Sequence, residues 1–225
     1  MTRIQQRQAS RGSQKWLQAL INEHSDVVNR QLAVPLGLSE TDSIHWLSPL
    51  ENDDYAEYSD QAFLDRLGIS LDSYPFANFW PKRGPVWDGL ARTESGQVLL
   101  VEAKAHIPEM VSPASAASEP SLDVIRRSLE ETKRFLGSGS TVDWSTCFYQ
   151  YTNRLAHLYL LRELNGIPAF LVFVYFIGDT DMGGPGTKEE WEGGIKLMES
   201  FLGLRRHRLS RYVVHMFIDA CASTP

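Results

Sequence analysis

Hydrophobic positions recur along the chain with two periods, and together these predict alternating helices and strands. Apolar residues three, four and seven positions apart predict helices over about 13–32, 51–68, 121–135, 144–164 and 187–202. Unbroken or β-branched apolar runs predict strands over 86–92, 98–101, 169–177 and 212–219, with a short edge strand over 74–80 that two prolines interrupt. This order predicts an α/β fold with a mixed central β-sheet flanked by helices.

Composition narrows the class of protein. A chain of 225 residues with 43% hydrophobic and 22% charged residues predicts a single globular domain over 1–225, preceded by a polar, basic flexible arm over 1–12. The net charge of −6 argues against a protein that coats nucleic acid non-specifically. It does not exclude contact with nucleic acid through a local basic surface. Two isolated cysteines, no signal pattern and no long apolar run predict a cytoplasmic protein without membrane contact.

The chemistry concentrates in a predicted hairpin. The apolar run Val98–Val101 leads directly into Glu102 and Lys104, and residues 93–96 carry turn chemistry. A three-residue loop over 94–96 places Asp88 opposite Glu102 on one face, whereas a two-residue loop puts them on opposite faces. Two carboxylates with β-carbons about 5 Å apart repel each other. A cation or a shared proton is therefore needed between them. A divalent metal ion is expected, with a purely structural ion triad that includes Lys104 as the alternative.

Asp88, followed after the hairpin by Glu102-Ala103-Lys104, resembles the active site of the PD-(D/E)XK nuclease superfamily. The chain departs from the motif after which the family is named at Trp87, because the motif has a proline immediately before the aspartate. The resemblance implies a restriction-endonuclease-like αβββαβ core over about 70–177, with N-terminal helices and a C-terminal αβ addition. It further implies Mg²⁺, with Mn²⁺ as an alternative, bound by Asp88, Glu102 and the Ala103 carbonyl, while Lys104 positions or activates the attacking water.

The family also suggests contributions from helices. Its members often supply another acidic ligand from an early helix. Glu23 fits because it lies seven residues after Trp16, with a solvated glutamate as the alternative and Glu57 in reserve. Members of the family also commonly place a Gln, Lys or Arg from the helix after the hairpin at the active site, a position that Gln150 and Arg154 fit, with a partly exposed polar edge as the alternative. Gln150 is the catalytic candidate of the two. Phosphate contacts are expected from basic residues that could equally be solvated: Lys82, Arg83, Arg154, Arg205, Arg206 and Arg208.

These features predict metal-dependent hydrolysis of nucleic-acid phosphodiester bonds, with DNA favoured over RNA and a homodimer left open. Two alternatives stand beside it. One is an inactive nuclease-like module that binds nucleic acid or a protein. The other is a hydrolase such as a glycosidase, using the carboxylate pair and stacking a sugar on Trp80 or Trp87. A catalytic site also predicts that Asp88→Asn or Glu102→Gln abolishes cleavage without lowering stability.

Overall fold

A computed structural model describes residues 2–220 and contains a five-stranded mixed sheet with helices packed on both faces. The strands are β1 (Thr2–Ile4), β2 (Ile44–Ser48), β3 (Glu57–Ser59), β4 (Gly89–Thr93), β5 (Val98–Lys104), β6 (Ala169–Ile177) and β7 (Val213–Asp219). The helices are α1 (Gly12–Glu23), α2 (Ser25–Leu36), α3 (Asp60–Leu67), α4 (Phe76–Phe79), α5 (Glu119–Leu136), α6 (Tyr149–Tyr159) and α7 (Lys188–Leu202).

The sheet has the strand order β2–β4–β5–β6–β7. The β2–β4 and β4–β5 pairs are antiparallel, whereas β5–β6 and β6–β7 are parallel. Every residue of β5 is buried, because strands and helices cover it on all sides. The predicted mixed α/β architecture is therefore confirmed. Within residues 2–220, no helix is both long enough and apolar enough to cross a membrane.

The two faces of β5 carry different side chains. Leu99, Val101 and Ala103 belong to the core that contains the α1 and α2 side chains. Val98 and Leu100 belong to the larger core shared with α3, α5, α6 and α7. Side chains alternate along a strand, so Glu102 and Lys104 continue the second face. The polar end of β5 thus faces α6.

The N-terminal segment differs from the prediction of a flexible arm over 1–12. Thr2–Ile4 forms β1 and pairs antiparallel with β3. The Arg3 guanidinium also lies 2.7 Å from the Asp53 carboxylate. Backbone pairing and this ion pair dock the segment, and no local hydrophobic pattern indicates such a contact between distant segments.

The sheet extends beyond the predicted core over 70–177 at both edges. One edge strand is β2, in a segment predicted as a loop, and the other is β7, the strand of the predicted C-terminal αβ addition. Residues 74–80 do not form the predicted strand, because Phe76–Phe79 forms one helical turn. Pro75 and Pro81 cannot donate to a strand ladder, which is consistent with the absence of a strand there. The predicted helix over 51–68 is likewise divided into β3 and α3.

Candidate active site at the end of strand β5

The β4–β5 hairpin has the predicted register. Gly89 pairs with Val101 and Arg92 with Val98, and the Thr93 amide donates to the Gln97 carbonyl at 2.9 Å. The loop therefore contains three residues, with Gly96 at φ +90° in a conformation that favours glycine. Continuing this register by one residue places Asp88 opposite Glu102. The three-residue loop is confirmed.

An open pocket of about 690 Å³ lies over this end of the hairpin, and we call it the hairpin pocket. One wall is the segment 108–116, and Ser13 at the start of α1 also borders the pocket. The structure thus brings together predicted residues from three parts of the chain: Asp88, Glu102, Ala103, Lys104, Gln150 and Arg154.

Glu102 is held by two cations. Its Oε1 accepts a short hydrogen bond from Lys104 Nζ, while Oε2 accepts from Arg154 Nε at 2.7 Å and lies 2.6 Å from Arg154 Nη2. Gln150 Oε1 accepts from Lys104 Nζ at 2.7 Å. Burial alone would raise the pKa of Glu102, but Arg154 and Lys104 hold that pKa below its ordinary value. Glu102 is therefore an ionised carboxylate with two counter-ions.

Asp88 lies beside this ion cluster without a cation of its own among residues 2–220. Its Oδ2 accepts from the Ala103 amide at 2.8 Å. Burial and repulsion from Glu102 raise the pKa of Asp88 well above its ordinary value, although Lys104 opposes the shift. Asp88 is only partly exposed, through the hairpin pocket. It is the carboxylate of the site that lacks a neutralising partner.

Glu57 adds negative charge nearby. The Trp87 amide donates to the Tyr58 carbonyl at 3.0 Å, and this bridge places Glu57 next to Asp88 in the pairing. The Glu57 carboxylate accepts from the side-chain amides of Gln6 and Gln14 at 3.0 and 2.9 Å. Burial, with a smaller effect of Glu102, raises the pKa of Glu57. Glu57, the reserve candidate for a helix-borne acid, thus lies beside Asp88, but on β3 rather than on a helix.

The donor atoms determine whether magnesium fits. Within the described chain, no group of three or more His, Cys, Asp or Glu side chains is arranged to hold a metal ion. Magnesium, however, is commonly held by one or two carboxylates, with water and substrate phosphate completing its six ligands. Asp88 and Glu102 provide those oxygen donors, and Glu102 would share its oxygens with Lys104 and Arg154. The two carboxylates therefore fit a magnesium ion that is completed by its substrate.

Two predicted site residues have other roles. Glu23 is exposed and lines a separate pocket of about 260 Å³ with Lys15 and Tyr55. Its prediction as a metal ligand is wrong, because α1 ends at Glu23 on the solvent side. Arg154 does reach the hairpin pocket from its helix, but its guanidinium is already engaged within the protein. Its guanidinium is buried, paired with Glu102 and bonded to the Val86 carbonyl at 2.7 Å.

The other predicted basic residues lie outside the hairpin pocket. Lys82 and Arg83 line a different pocket near α4. The segment 205–208 precedes β7, and β7 begins beside Leu171, which pairs with Leu100. Because β5, β6 and β7 are parallel, Arg205, Arg206 and Arg208 lie toward the opposite end of the sheet from Glu102. The structure does not bring them to the site.

One acidic residue of the hairpin pocket was not predicted. Glu109 lines the pocket, and its carboxylate accepts from the Ala105 amide at 2.6 Å and the Ser13 hydroxyl at 3.2 Å. An acid five residues after Lys104 carries no recognisable pattern. Trp80 and Trp87 are buried and do not line this pocket, so their proposed sugar-stacking role is wrong.

Comparison of the chain with protein-family models, with curated proteins and with solved structures gives no match.

Proposed function

We propose that the protein is a metal-dependent nuclease that hydrolyses phosphodiester bonds through a PD-(D/E)XK-type site on a restriction-endonuclease-like core. One observation carries the proposal. A single hairpin presents Asp88, Glu102 and Lys104 on the same face of the sheet, and all three line one open pocket. DNA is the favoured substrate because the resemblance is to restriction-type nucleases.

Each side chain at the hairpin pocket has a separate role in the proposed reaction. Asp88 and Glu102 would hold Mg²⁺ or Mn²⁺. When bound, such an ion lowers the pKa of water and stabilises the charge that develops on the phosphoryl group. Lys104 provides a positive charge beside the pocket, and Gln150 fixes the Lys104 ammonium by accepting a hydrogen bond from it at 2.7 Å. Arg154 keeps Glu102 ionised and in position through its two contacts.

A second candidate is a non-catalytic binding module. The specific observation in its favour is that Lys104 and Arg154 already neutralise Glu102. In that case the ion cluster only stabilises the fold, and the pocket binds nucleic acid or a protein without catalysing hydrolysis. The carboxylate-pair hydrolase has weaker support, because neither of its proposed stacking tryptophans reaches the pocket.

The deciding experiment is a cleavage panel of linear, circular, single-stranded and branched DNA and RNA, with magnesium, manganese or EDTA. We expect cleavage with either metal and none with EDTA. Calorimetric titration should show one magnesium site that Asp88→Asn removes. Glu23→Gln is the matched control, because it removes one exposed carboxylate outside the hairpin pocket.

Failure has two distinct forms. A folded protein that neither binds metal nor cleaves any substrate would favour the binding module. Hydrolysis that persists in EDTA and still needs both carboxylates would favour the metal-free hydrolase.

A further inference from the structure

A second pocket, of about 620 Å³, lies where α4 and the following loop meet the start of α3. We call it the α4 pocket. Phe76, Trp80 and Pro81 contribute apolar and aromatic surface, and Lys82 and Arg83 contribute two charges. Both cations are exposed, and within residues 2–220 neither forms a salt bridge. This combination suits a nucleotide, because a base can pack on the apolar and aromatic surface while its phosphates contact the two cations.

The α4 pocket also contains a carboxylate, that of Asp60, which would repel a phosphate if it were free. Asp60 Oδ1 accepts from the Gly84 amide at 2.8 Å. Its Oδ2 accepts from the Arg83 amide and the Thr2 hydroxyl, each at 3.2 Å. These three donors hold the charge of Asp60 against the loop backbone. The carboxylate therefore anchors the loop, and the side chains of Lys82 and Arg83 remain available.

The α4 pocket and the hairpin pocket are neighbours along the chain. Lys82 and Arg83 line the first, whereas Pro85 and Val86 line the second. Arg83 and Val86 are three positions apart, which corresponds to at most about 11 Å of extended backbone. A nucleic-acid strand with a rise of about 3.4 Å per nucleotide covers this separation in roughly three nucleotides. One strand can therefore reach both pockets.

We propose that the α4 pocket binds an unpaired nucleotide that flanks the cleavage position. This proposal rests on the proposed nuclease function and adds a preference for single-stranded nucleic acid. The base packs on the apolar surface that includes Phe76, and the adjoining phosphates contact Lys82 and Arg83. A base in a duplex is already stacked and paired, so it cannot enter the pocket without leaving the helix.

Fluorescence anisotropy with a labelled 12-nucleotide DNA strand in EDTA tests the contact without cleavage. The double variant Lys82→Gln and Arg83→Gln should weaken binding about tenfold. It should also reduce the slope of log affinity against log salt by roughly 1.4, because single strands lose about 0.7 per phosphate contact. The control is Arg205→Gln with Arg206→Gln, which removes the same charge at the other end of the sheet and should change affinity less than about twofold.

Base contact is tested separately with Phe76→Leu. This change should weaken binding of the normal strand at least about fivefold, in the range of one stacked base. An abasic strand of equal length should bind the variant and the unmodified protein alike. The melting temperature of the variant identifies any loss of folding.

Small-substrate hydrolysis separates this proposal from the proposed function. Bis(4-nitrophenyl) phosphate has one phosphodiester and no flanking nucleotide to place in the α4 pocket, so the Lys82 and Arg83 double variant should hydrolyse it, with magnesium, at the unmodified rate. If the protein hydrolyses this substrate and the double substitution leaves its affinity for the DNA strand unchanged, the α4 pocket proposal alone is refuted. Strand binding that depends on Lys82 and Arg83, without any hydrolysis, would refute the nuclease alone.

The binding measurements can also overturn the nucleotide pocket. They would do so if the α4-pocket and Arg205/Arg206 variants lost the same binding affinity, or if the α4-pocket variant lost the same affinity for single strands and for duplex.

Discussion

At the scale of single residues, the two carboxylates of the hairpin have opposite electrostatic situations. Glu102 is the counter-ion of Lys104 and Arg154, whereas Asp88 has no cation of its own among the described residues. Burial raises the pKa of Asp88, and the two cations lower the pKa of Glu102. The expectation that either carboxylate can be neutralised without lowering stability therefore applies only to Asp88.

Asp88→Asn should raise the free energy of unfolding at pH 7, because burial and repulsion from Glu102 disfavour the ionised carboxylate in the folded protein. The raised pKa means that the folded state holds a proton more tightly than the unfolded chain. Asp88 therefore costs stability as the pH rises above its ordinary pKa, and asparagine removes that cost. Urea denaturation at pH 7 measures the change. A clear loss of stability would show that Asp88 has a favourable partner in the folded protein.

Glu102→Gln should instead lower the free energy of unfolding by about 3–5 kcal/mol, because Lys104 and Arg154 would be buried without a counter-ion. The same denaturation series measures this loss. Glu192→Gln is the control, since it removes an exposed ion-paired carboxylate on α7 and should change stability by less than about 1 kcal/mol. Equal effects at positions 102 and 192 would contradict a stabilising role for the buried cluster.

Sequence patterns located some residues of the site and missed others. Asp88, Glu102 and Lys104 could be grouped because turn length and strand period determine which face they share. Gln150 could be assigned to the site from its helix. Glu57 could not be located on a strand, because pairing with the distant β1 creates that strand. Arg154 was expected to contact phosphate, because helix periodicity does not reveal that its partner is a buried carboxylate on another element.

At the scale of elements, the end of β5 is packed tightly against the loop that follows β6. A β-carbon at Gly184 would lie 2.1 Å from the Ala105 carbonyl oxygen, one residue beyond Lys104. Asp179 holds the start of this loop, because its Oδ2 accepts from the Trp16 indole at 2.9 Å. Gly184 therefore allows the loop to approach the backbone that positions Lys104.

Gly184→Ala should lower stability by about 1–3 kcal/mol, as expected when a side chain is added to a tightly packed contact. It should also reduce any hydrolysis by the hairpin pocket, because the backbone after Lys104 must move. Thermal unfolding and hydrolysis of bis(4-nitrophenyl) phosphate measure the two effects. Gly186→Ala is the matched control in the same loop, where a β-carbon meets no atom within 4 Å. Similar behaviour of the two variants would rule out the close contact.

The most regular elements were the most predictable. The apolar run over 169–177 forms β6, and the hairpin strands form β4 and β5. The prediction of a single helix over 13–32 was wrong because the chain breaks at His24, with φ −134° and ψ 30°, between α1 and α2. β2 was missed because its five residues have mixed polarity and a register shift. These residues form a strand because they pair with β4, and the hydrophobic pattern of β2 itself does not indicate that pairing.

At the scale of the whole molecule, buried histidines make the fold sensitive to acid. Burial lowers the pKa of His157 to about 3, inside a group of aromatic rings that includes Trp80 at 4.8 Å. Burial also lowers the pKa of His215 to about 4, next to Phe173 and Tyr175. Both values lie below the ordinary 6.5, so at intermediate pH the unfolded chain binds protons that the folded protein does not.

The free energy of unfolding should therefore fall as the pH is lowered below 6.5, by up to about 1.4 kcal/mol per pH unit for each histidine. His157→Phe should remove one such contribution and make the stability difference between pH 7 and pH 5 smaller by roughly 2 kcal/mol. Guanidinium denaturation at the two pH values measures it. His45→Gln, at an exposed position, is the control. An unchanged difference for His157→Phe would contradict a neutral buried imidazole.

The ion cluster around Glu102 also has an evolutionary consequence. Because the fold depends on Glu102, Lys104 and Arg154 whereas Asp88 lowers stability, selection for folding preserves the first three, and only selection for the proposed cleavage preserves Asp88. A lineage released from selection for cleavage should exchange Asp88 first and retain the other three. Homologous chains in which only the aspartate at position 88 is exchanged would thus mark descendants that kept the fold and lost the proposed cleavage.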